Sequence, residues 1–422
     1  MEAMRIALIS MHTSPAAVPG SGDAGGMNVV VAEAARALAE RGHEVVAATR
    51  ATAELPPGEY SMVDRRSTPR HNTARPAPVL VALAAGDPAL RKERLPAVVP
   101  EFAAGLRGLG PFDAVHAHYW LSGCAAREAF ERPFAMTFHT LAAQKNARLA
   151  PGDAPEPEAR VAAERELAAA SFVVAGSRSE LDAVERSCGP LLSGSAIVHP
   201  GVDTALFAPR PPGTPSPDRT PSLSRGADDS ATPATPLRVT VLGRVQPLKG
   251  QDLAVRTLAA LAALDPQLAA RTELVIAGEP TPGAEGYAAH LRELAATEGL
   301  ADRVRFLPAQ TREESAALLA SSDVVLVPSH SETFGLTALE AAACGVPVIV
   351  GGHTGLVEAA PAGTAGVHMV DRDPHRWAEA LAALLGDPAR RAALGRSARA
   401  HALEHDWRAH AAALERIYCS LA

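Results

Sequence analysis

Aromatic residues make up only 4% of the 422-residue chain. Hydrophobic residues still reach 47%, ample for the core of a globular protein, and 422 residues suffice for two or three domains. Alanine is abundant, and Ala/Arg richness of this kind reflects genome base composition more than mechanism. Cysteine is sparser still, with four in the chain. Cys124, Cys188, Cys344 and Cys419 are scattered, with no C-x-x-C pair and no metal-ligand spacing. That usage fits a reducing cytosol. No stretch approaches the roughly 18 uninterrupted apolar residues of a membrane span. The N-terminal run Arg5–Ile9 is too short for a signal-peptide core, so a cytoplasmic location is expected. There is also no long Lys/Arg run, and the net charge is −7. Nucleic acid and anionic membranes are therefore poor partners for such a chain, and any anion site must be local.

What the chain does have is clearest at Ser329–Val350. The preceding Asp323–Pro328 is a β-branched apolar run ended by proline, the pattern of a strand buried on both faces of a parallel sheet. A polar loop, Ser329–Thr333, follows. Phe334–Ala343 reads as a helix, stopped by Cys344-Gly-Val-Pro347, and Val348–Val350 starts another strand. Glu332 and Glu340 bracket the helix start. Eight helical positions would separate them by about 12 Å along the axis. The two carboxyls of a glycosidase stand roughly 5 to 9.5 Å apart. The pair is better suited to holding two ends of one extended ligand, and a helix N-terminus after a strand favours a diphosphate. Two solvated glutamates on an ordinary strand–helix unit remain the alternative at this point.

The rest of the chain repeats the pattern. Arg5–Met11 reads as a strand, His12–Gly26 as a loop rich in Gly, Pro and Ser, Met27–Arg41 as a helix and His43–Thr49 as a strand. This is a doubly wound nucleotide-binding unit, although the loop matches neither G-x-G-x-x-G nor a Walker motif. Gly25-Gly26 would let a ligand approach the helix start closely. The segment Ala51–Gly86 resists assignment, and Pro96 and Pro100 break a helical composition at Leu90–Leu109. Two strands end in chemically capable pairs, His118-Tyr119 and His139-Thr140, and ligands of open parallel sheets bind beyond the carboxyl ends of strands. Pro209–Pro236 has little apolar side chain to bury and reads as a disordered linker. The expected organisation is α/β: a Rossmann-like domain over 1–208, the linker 209–236, a second Rossmann-like domain over 237–395, and a C-terminal helix at 396–422 packing back on the first domain. The two domains would face a cleft.

Arg244 and Lys249 stand five positions apart in a glycine-flanked loop after the first strand of the second domain. A guanidinium fork and an ammonium facing one point suit a diphosphate and would stabilise it as a leaving group. These residues, followed by Glu332-Thr-Phe-Gly335 and Glu340, resemble the retaining glycosyltransferases of GT-B fold, family 4. Within that family the N-terminal half is most similar to the inositol 3-phosphate N-acetylglucosaminyltransferases of mycothiol biosynthesis. The matching motifs are His12–Pro15, Gly22–Asn28, His116–Gly123, His139–Ala143 with Lys145-Asn146, Pro155–Arg160 and Pro200–Asp203.

The resemblance implies retaining transfer of N-acetylglucosamine from UDP-N-acetylglucosamine to inositol 3-phosphate. It implies Arg244 and Lys249 on the donor diphosphate, Glu340 on the ribose and Glu332 on the donor sugar. Gly26, Gln310, Phe334, Gly335 and Leu336 would complete the donor site, and His139 would face the reacting sugar. Lys92, Tyr119, Thr140 and Arg160 would bind the acceptor phosphate, with His12, Asp23 and Asn28 on the cyclitol side. No metal is obligatory in the family, a magnesium ion without a catalytic part being compatible with it, and a homodimer is common. A glycan phosphorylase of the same GT-B fold would need a lysine-bound pyridoxal phosphate, for which no motif matches.

Three departures fall on the donor side: Gly278-Glu-Pro-Thr-Pro-Gly283, Ser331 before Glu332, and the turn Gly352-His-Thr-Gly-Leu356. The segment before Lys92 differs as well. They keep open a paralogue in an antibiotic or other secondary pathway, using another UDP- or GDP-sugar and an aminocyclitol or small-thiol acceptor.

Overall fold

The computed structural model describes residues 2–62, 77–147, 149, 154–211 and 236–421. Most of the linker expected at 209–236 thus lies outside the described residues. The chain folds around two sheets. The first takes β1 (Arg5–Ile9), β2 (Glu44–Arg50), β3 (Gly58–Ser61), β4 (Val79–Leu83), β5 (Ala114–His118), β6 (Ala135–Thr137), β7 (Phe172–Ala175) and β8 (Ser195–Ile197). Their order is β3-β4-β2-β1-β5-β6-β7-β8, parallel except for the β3–β4 pair. The second takes β9 (Leu237–Leu242), β10 (Thr272–Ala277), β11 (Val304–Leu307), β12 (Val324–Val327), β13 (Val348–Gly351) and β14 (Gly366–Met369), in the order β11-β10-β9-β12-β13-β14. This is the expected pair of doubly wound α/β domains.

Each sheet reverses its winding direction once, between β1 and β5 in the first and between β9 and β12 in the second. A crevice opens beyond the strand ends at such a switch point. The strands there are buried on both faces, as their unbroken apolar runs predict: Ile6, Leu8, Ile9, Val324, Val325 and Leu326 are all almost fully covered.

The elements depart from the sequence reading at three places. The unassigned segment after Ala51 contains β3 and β4, whose edge pairing is antiparallel. The helix expected from Phe334 begins at Leu336, after Gly335 at φ +110°. The backbone angle favours glycine there, and a Cβ would in addition fall 2.7 Å from a terminal methyl of Leu356, which would have to shift. Glu332 therefore sits in the loop, and the helical spacing from Glu332 to Glu340 does not apply.

The third departure is the domain boundary. Val202 and Phe207 already pack in the core of the second domain, with Ala338, Ala342 and Leu356. The boundary read at 395/396 falls inside the helix Pro388–Leu403, which stays with that domain. Its Ala398 and Ala402 join the same core, and Arg399 donates to the carbonyls of Thr204, Phe207 and Ala343. The chain crosses back at Glu404–Asp406. The two crossings lie side by side, the Val202 N–H donating to the His405 carbonyl at 2.9 Å. The last helix, Trp407–Leu421, then joins the first domain's core through Trp407, Leu414 and Tyr418 against Ile6, Val31 and Leu38.

Candidate functional site

The crevices of the two sheets face one another and form one cleft, with a cavity of about 350 Å³ at its centre. The first domain contributes His12 after β1, the helix start at Gly25–Asn28, Tyr119 after β5, His139 and Thr140 after β6, and Arg160. The second contributes Arg244 and Lys249 after β9 and Ser331–Thr337 after β12. The structure thus brings together most of the residues predicted from sequence.

On one side the cleft is cationic. Arg160 is 4% exposed, lies 4.8 Å from the centre of the Tyr119 ring, and donates to Thr140 Oγ1 at 3.0 Å and to its carbonyl at 2.9 Å. Glu156 and Glu164 hold the same guanidinium at 2.9 and 2.7 Å. Lys92 Nζ approaches the Tyr119 ring at 5.3 Å and Asp23 at 3.6 Å. His12 stacks on Tyr119 at 4.1 Å, and its Nδ1 is buried without a partner. Burial, reinforced by Lys92, Arg160 and Arg244, pushes the His12 pKa well below its ordinary value, so the ring is a neutral group inside a positive pocket. Two cations against one aromatic ring, beside a hydroxyl, suit a phosphate group.

Across the cleft, Lys249 donates to Glu332 at 2.6 Å, and the Ser329 hydroxyl donates to the same oxygen at 2.7 Å. The Glu332 N–H donates to Thr354 Oγ1 at 3.2 Å. Arg244 reaches back to the first domain, 3.9 Å from the Asp23 carboxylate. The glycine loop lies directly against the second domain: a Cβ on Gly25 would stand 3.4 Å from Arg244, and one on Gly26 would stand 3.4 Å from Leu336.

His139 lies where the halves meet. Its φ of +59° is unusual for a residue with a side chain, and Tyr119 at +76° and Thr354 at +57° share that trait at the same cleft or its rim. The Thr333 hydroxyl donates to the His139 carbonyl, and Ser177 donates to the Thr333 carbonyl at 2.6 Å. The His139 ring pairs with His118 at 2.9 Å. Burial holds the His139 pKa near 3, and it raises the Glu180 carboxyl, which also lines the cleft, to about 7.

Three predicted residues are placed differently. Asn28 lines the cleft but is 1% exposed, and its amide is used locally. It accepts from the Gly25 N–H at 2.9 Å and donates to Thr13 Oγ1 and the Ser14 carbonyl, so its visible work is to pin the glycine loop. Glu340 is buried behind the cleft wall in an ion pair with Arg312, a residue the sequence reading did not single out. Gln310 is turned onto its own segment, donating to the Pro308 carbonyl at 2.9 Å. Neither Glu340 nor Gln310 is among the residues lining the cavity.

Residues 24–206 match the family described as Glycosyltransferase Family 4, and residues 227–401 match Glycosyl transferases group 1. The D-inositol 3-phosphate glycosyltransferase of Salinispora tropica is 42% identical over 400 residues, 92% of this chain and 79% of that protein. Its counterpart from Salinispora arenicola is 41% identical over 401 residues, 92% of this chain and 85% of that protein. The chain belongs to glycosyltransferase family 4. The sucrose-phosphate synthase of Thermosynechococcus elongatus superposes with a TM-score of 0.82 at 28% identity, covering 99% of this chain and 98% of that one. The fold of this glycosyltransferase is therefore GT-B, and its activity is the transfer of a sugar from a nucleotide sugar to an acceptor. Among the described residues no helix is long and apolar enough to cross a membrane.

Proposed function

We propose that this transferase moves N-acetylglucosamine, with retention of configuration, from its UDP sugar to inositol 3-phosphate. The observation that carries the acceptor class is the buried Arg160 guanidinium beside Thr140, with Lys92 over the same Tyr119 ring. A neutral polyol would not reward two converging cations; a phosphate monoester would. The two Salinispora relatives, both D-inositol 3-phosphate glycosyltransferases, support that class. The donor diphosphate lies with Arg244 and Lys249, and Glu332 is the sugar's hydroxyl acceptor.

In the proposed reaction the bond from the anomeric carbon to the diphosphate oxygen breaks, and the acceptor hydroxyl oxygen forms its bond on the same face. The leaving phosphate oxygen takes the hydroxyl proton, and Arg244 and Lys249 stabilise the charge as it develops. These two cations stand in for a metal in that role, so turnover should survive chelation of divalent ions. The likeness to family 4 also supports a homodimer, which light scattering on the purified chain measures.

One group of observations favours a second reading of the donor alone. Ser331, the turn at Gly278–Gly283 and the strained Thr354 beside Glu332 all differ from the family pattern on the side that holds the sugar. A mass-spectrometric screen of UDP- and GDP-sugars against inositol phosphate, aminocyclitol and thiol acceptors decides between them. UDP-N-acetylglucosamine with inositol 3-phosphate should give the dominant product. Turnover only with unphosphorylated acceptors would overturn the reading.

A further inference from the structure

We propose that His118 is a positioning residue whose Nδ1–H donates to His139 Nε2, fixing His139 in the tautomer that offers an Nδ1–H donor to the substrate. The inference rests on the proposed function, with His139 facing the reacting sugar as the resemblance to family 4 implies.

Two neutral imidazoles 2.9 Å apart must divide their roles, one nitrogen donating and the other accepting. Burial first, and neighbouring histidines second, keep both rings neutral. Two arrangements are then possible. If His139 donated from Nε2, His118 would carry its own proton on Nε2. That atom is buried with no hydrogen-bond partner among the described residues. A buried N–H left without an acceptor carries its full desolvation penalty, and such orphaned donors are the rarer fault in folded proteins. If His118 donates from Nδ1, its Nε2 is a bare lone pair, and no buried proton is stranded.

The neighbouring side chains leave no escape from this choice. His116 stacks on His118 at 4.2 Å, but both of its nitrogens are spent. The Thr137 hydroxyl gives its single proton to the Val174 carbonyl at 2.8 Å, so it accepts from His116 Nε2 at 2.9 Å. His116 Nδ1 must then accept from the Tyr418 hydroxyl at 2.8 Å. The Val174 carbonyl, acting through the Thr137 hydroxyl, thereby fixes one tautomer in a run of three histidines, and the buried Nε2 of His118 fixes the next. With Nε2 of His139 occupied by His118, Nδ1 is the ring nitrogen left for a ligand in the cleft.

The test is a long-range proton–nitrogen correlation spectrum of the full chain labelled with ¹⁵N-histidine, with His139→Gln identifying the His139 signals. The expected spectrum shows His139 protonated on Nδ1. His118→Asn keeps a donor at the Nδ1 position, so it should preserve that signature and hold kcat within a few-fold. His118→Asp offers only an acceptor; it should move the proton to Nε2 and lower kcat about a hundredfold, the scale for losing one oriented donor, with little change in KM. A wild-type spectrum with the proton on Nε2 overturns the proposal, as does a His118→Asp chain whose His139 signature is unchanged. Equal losses of kcat in the Asn and Asp variants also count against it. The wild-type spectrum decides even if a variant fails to fold. A correct tautomer with no sugar transfer would instead contradict the assigned function.

Discussion

Replacing Lys249 with alanine separates catalysis from stability at this site. The Lys249 ammonium sits 2.6 Å from the Glu332 carboxylate, and the two side chains are 24% and 17% exposed. An ion pair this close to solvent contributes only about 1 kcal/mol to folding. Glu332 also keeps the Ser329 hydroxyl as a donor. The melting temperature should therefore fall by only a few degrees. The effect on the reaction is larger. One unit of charge developing on the departing diphosphate about 4 Å from the ammonium interacts with it by about 4 kcal/mol at an effective dielectric constant near 20. Loss of one such stabiliser typically lowers turnover by about 10² to 10³. Steady-state release of free nucleotide from the nucleotide sugar measures kcat, and differential scanning fluorimetry measures the melt. Near-normal kcat would refute the placement of Lys249 on the diphosphate. A collapse in melting temperature would refute the claim that the pair matters little to folding.

Other expectations follow from the same geometry. Arg160→Ala should raise KM for a phosphorylated acceptor at least tenfold more than for its unphosphorylated form; equal losses would mean the recess does not read phosphate. It should also cost about 3–5 kcal/mol of stability, because Glu164, whose side chain is 2% exposed, loses its buried partner; denaturant titration measures this. Gly355→Ala would drive a Cβ to 2.0 Å from the Thr333 carbonyl, displacing the loop that carries Glu332, so donor binding and stability should fall together. Stability should decline as pH drops below about 6.5. The pKa values of His116, His139 and His410 are held near 3, 3 and 4 in the folded chain. The unfolded chain therefore takes up protons that the native state refuses. Glu180, raised to about 7, acts in the opposite sense between about 4.5 and 7. Three histidines against one carboxyl leave a net loss in acid of at least about 1.4 kcal/mol per pH unit. Urea melts at pH 7 and 5.5 measure it, and equal stability at both would contradict the buried, neutral histidines.

Much of this site is written locally in the chain. The alternation of β-branched runs with glycine loops and alanine-rich helices gives two doubly wound sheets, and strand ends point to where ligands bind. His12, Tyr119, His139, Arg244, Lys249 and Glu332 all follow strands at or beside a switch point, so their convergence is readable from local pattern. What the sequence hides depends on pairing over distance. Glu340 is covered by Arg312 from another helix, and nothing in either segment marks that partnership. Asn28 was readable as a first-turn residue, but its commitment to Thr13 and Ser14 depends on how the preceding loop folds back. The domain boundary was misplaced because the alanine-rich helices on either side of Glu404–Asp406 share one composition while packing on different domains. His118 was visible as a capable strand end. Its bond to His139, and the link from Thr333 to the same residue, join three separate segments of the chain.

The central claim is tested most directly by the product itself. Purified chain is incubated with UDP-N-acetylglucosamine and inositol 3-phosphate, and the glycosidic linkage is determined by proton NMR. The account predicts a phosphorylated pseudodisaccharide with the α configuration of the donor and one equivalent of UDP. A β-linked product, or hydrolysis of the nucleotide sugar without transfer to a phosphorylated cyclitol, would contradict it.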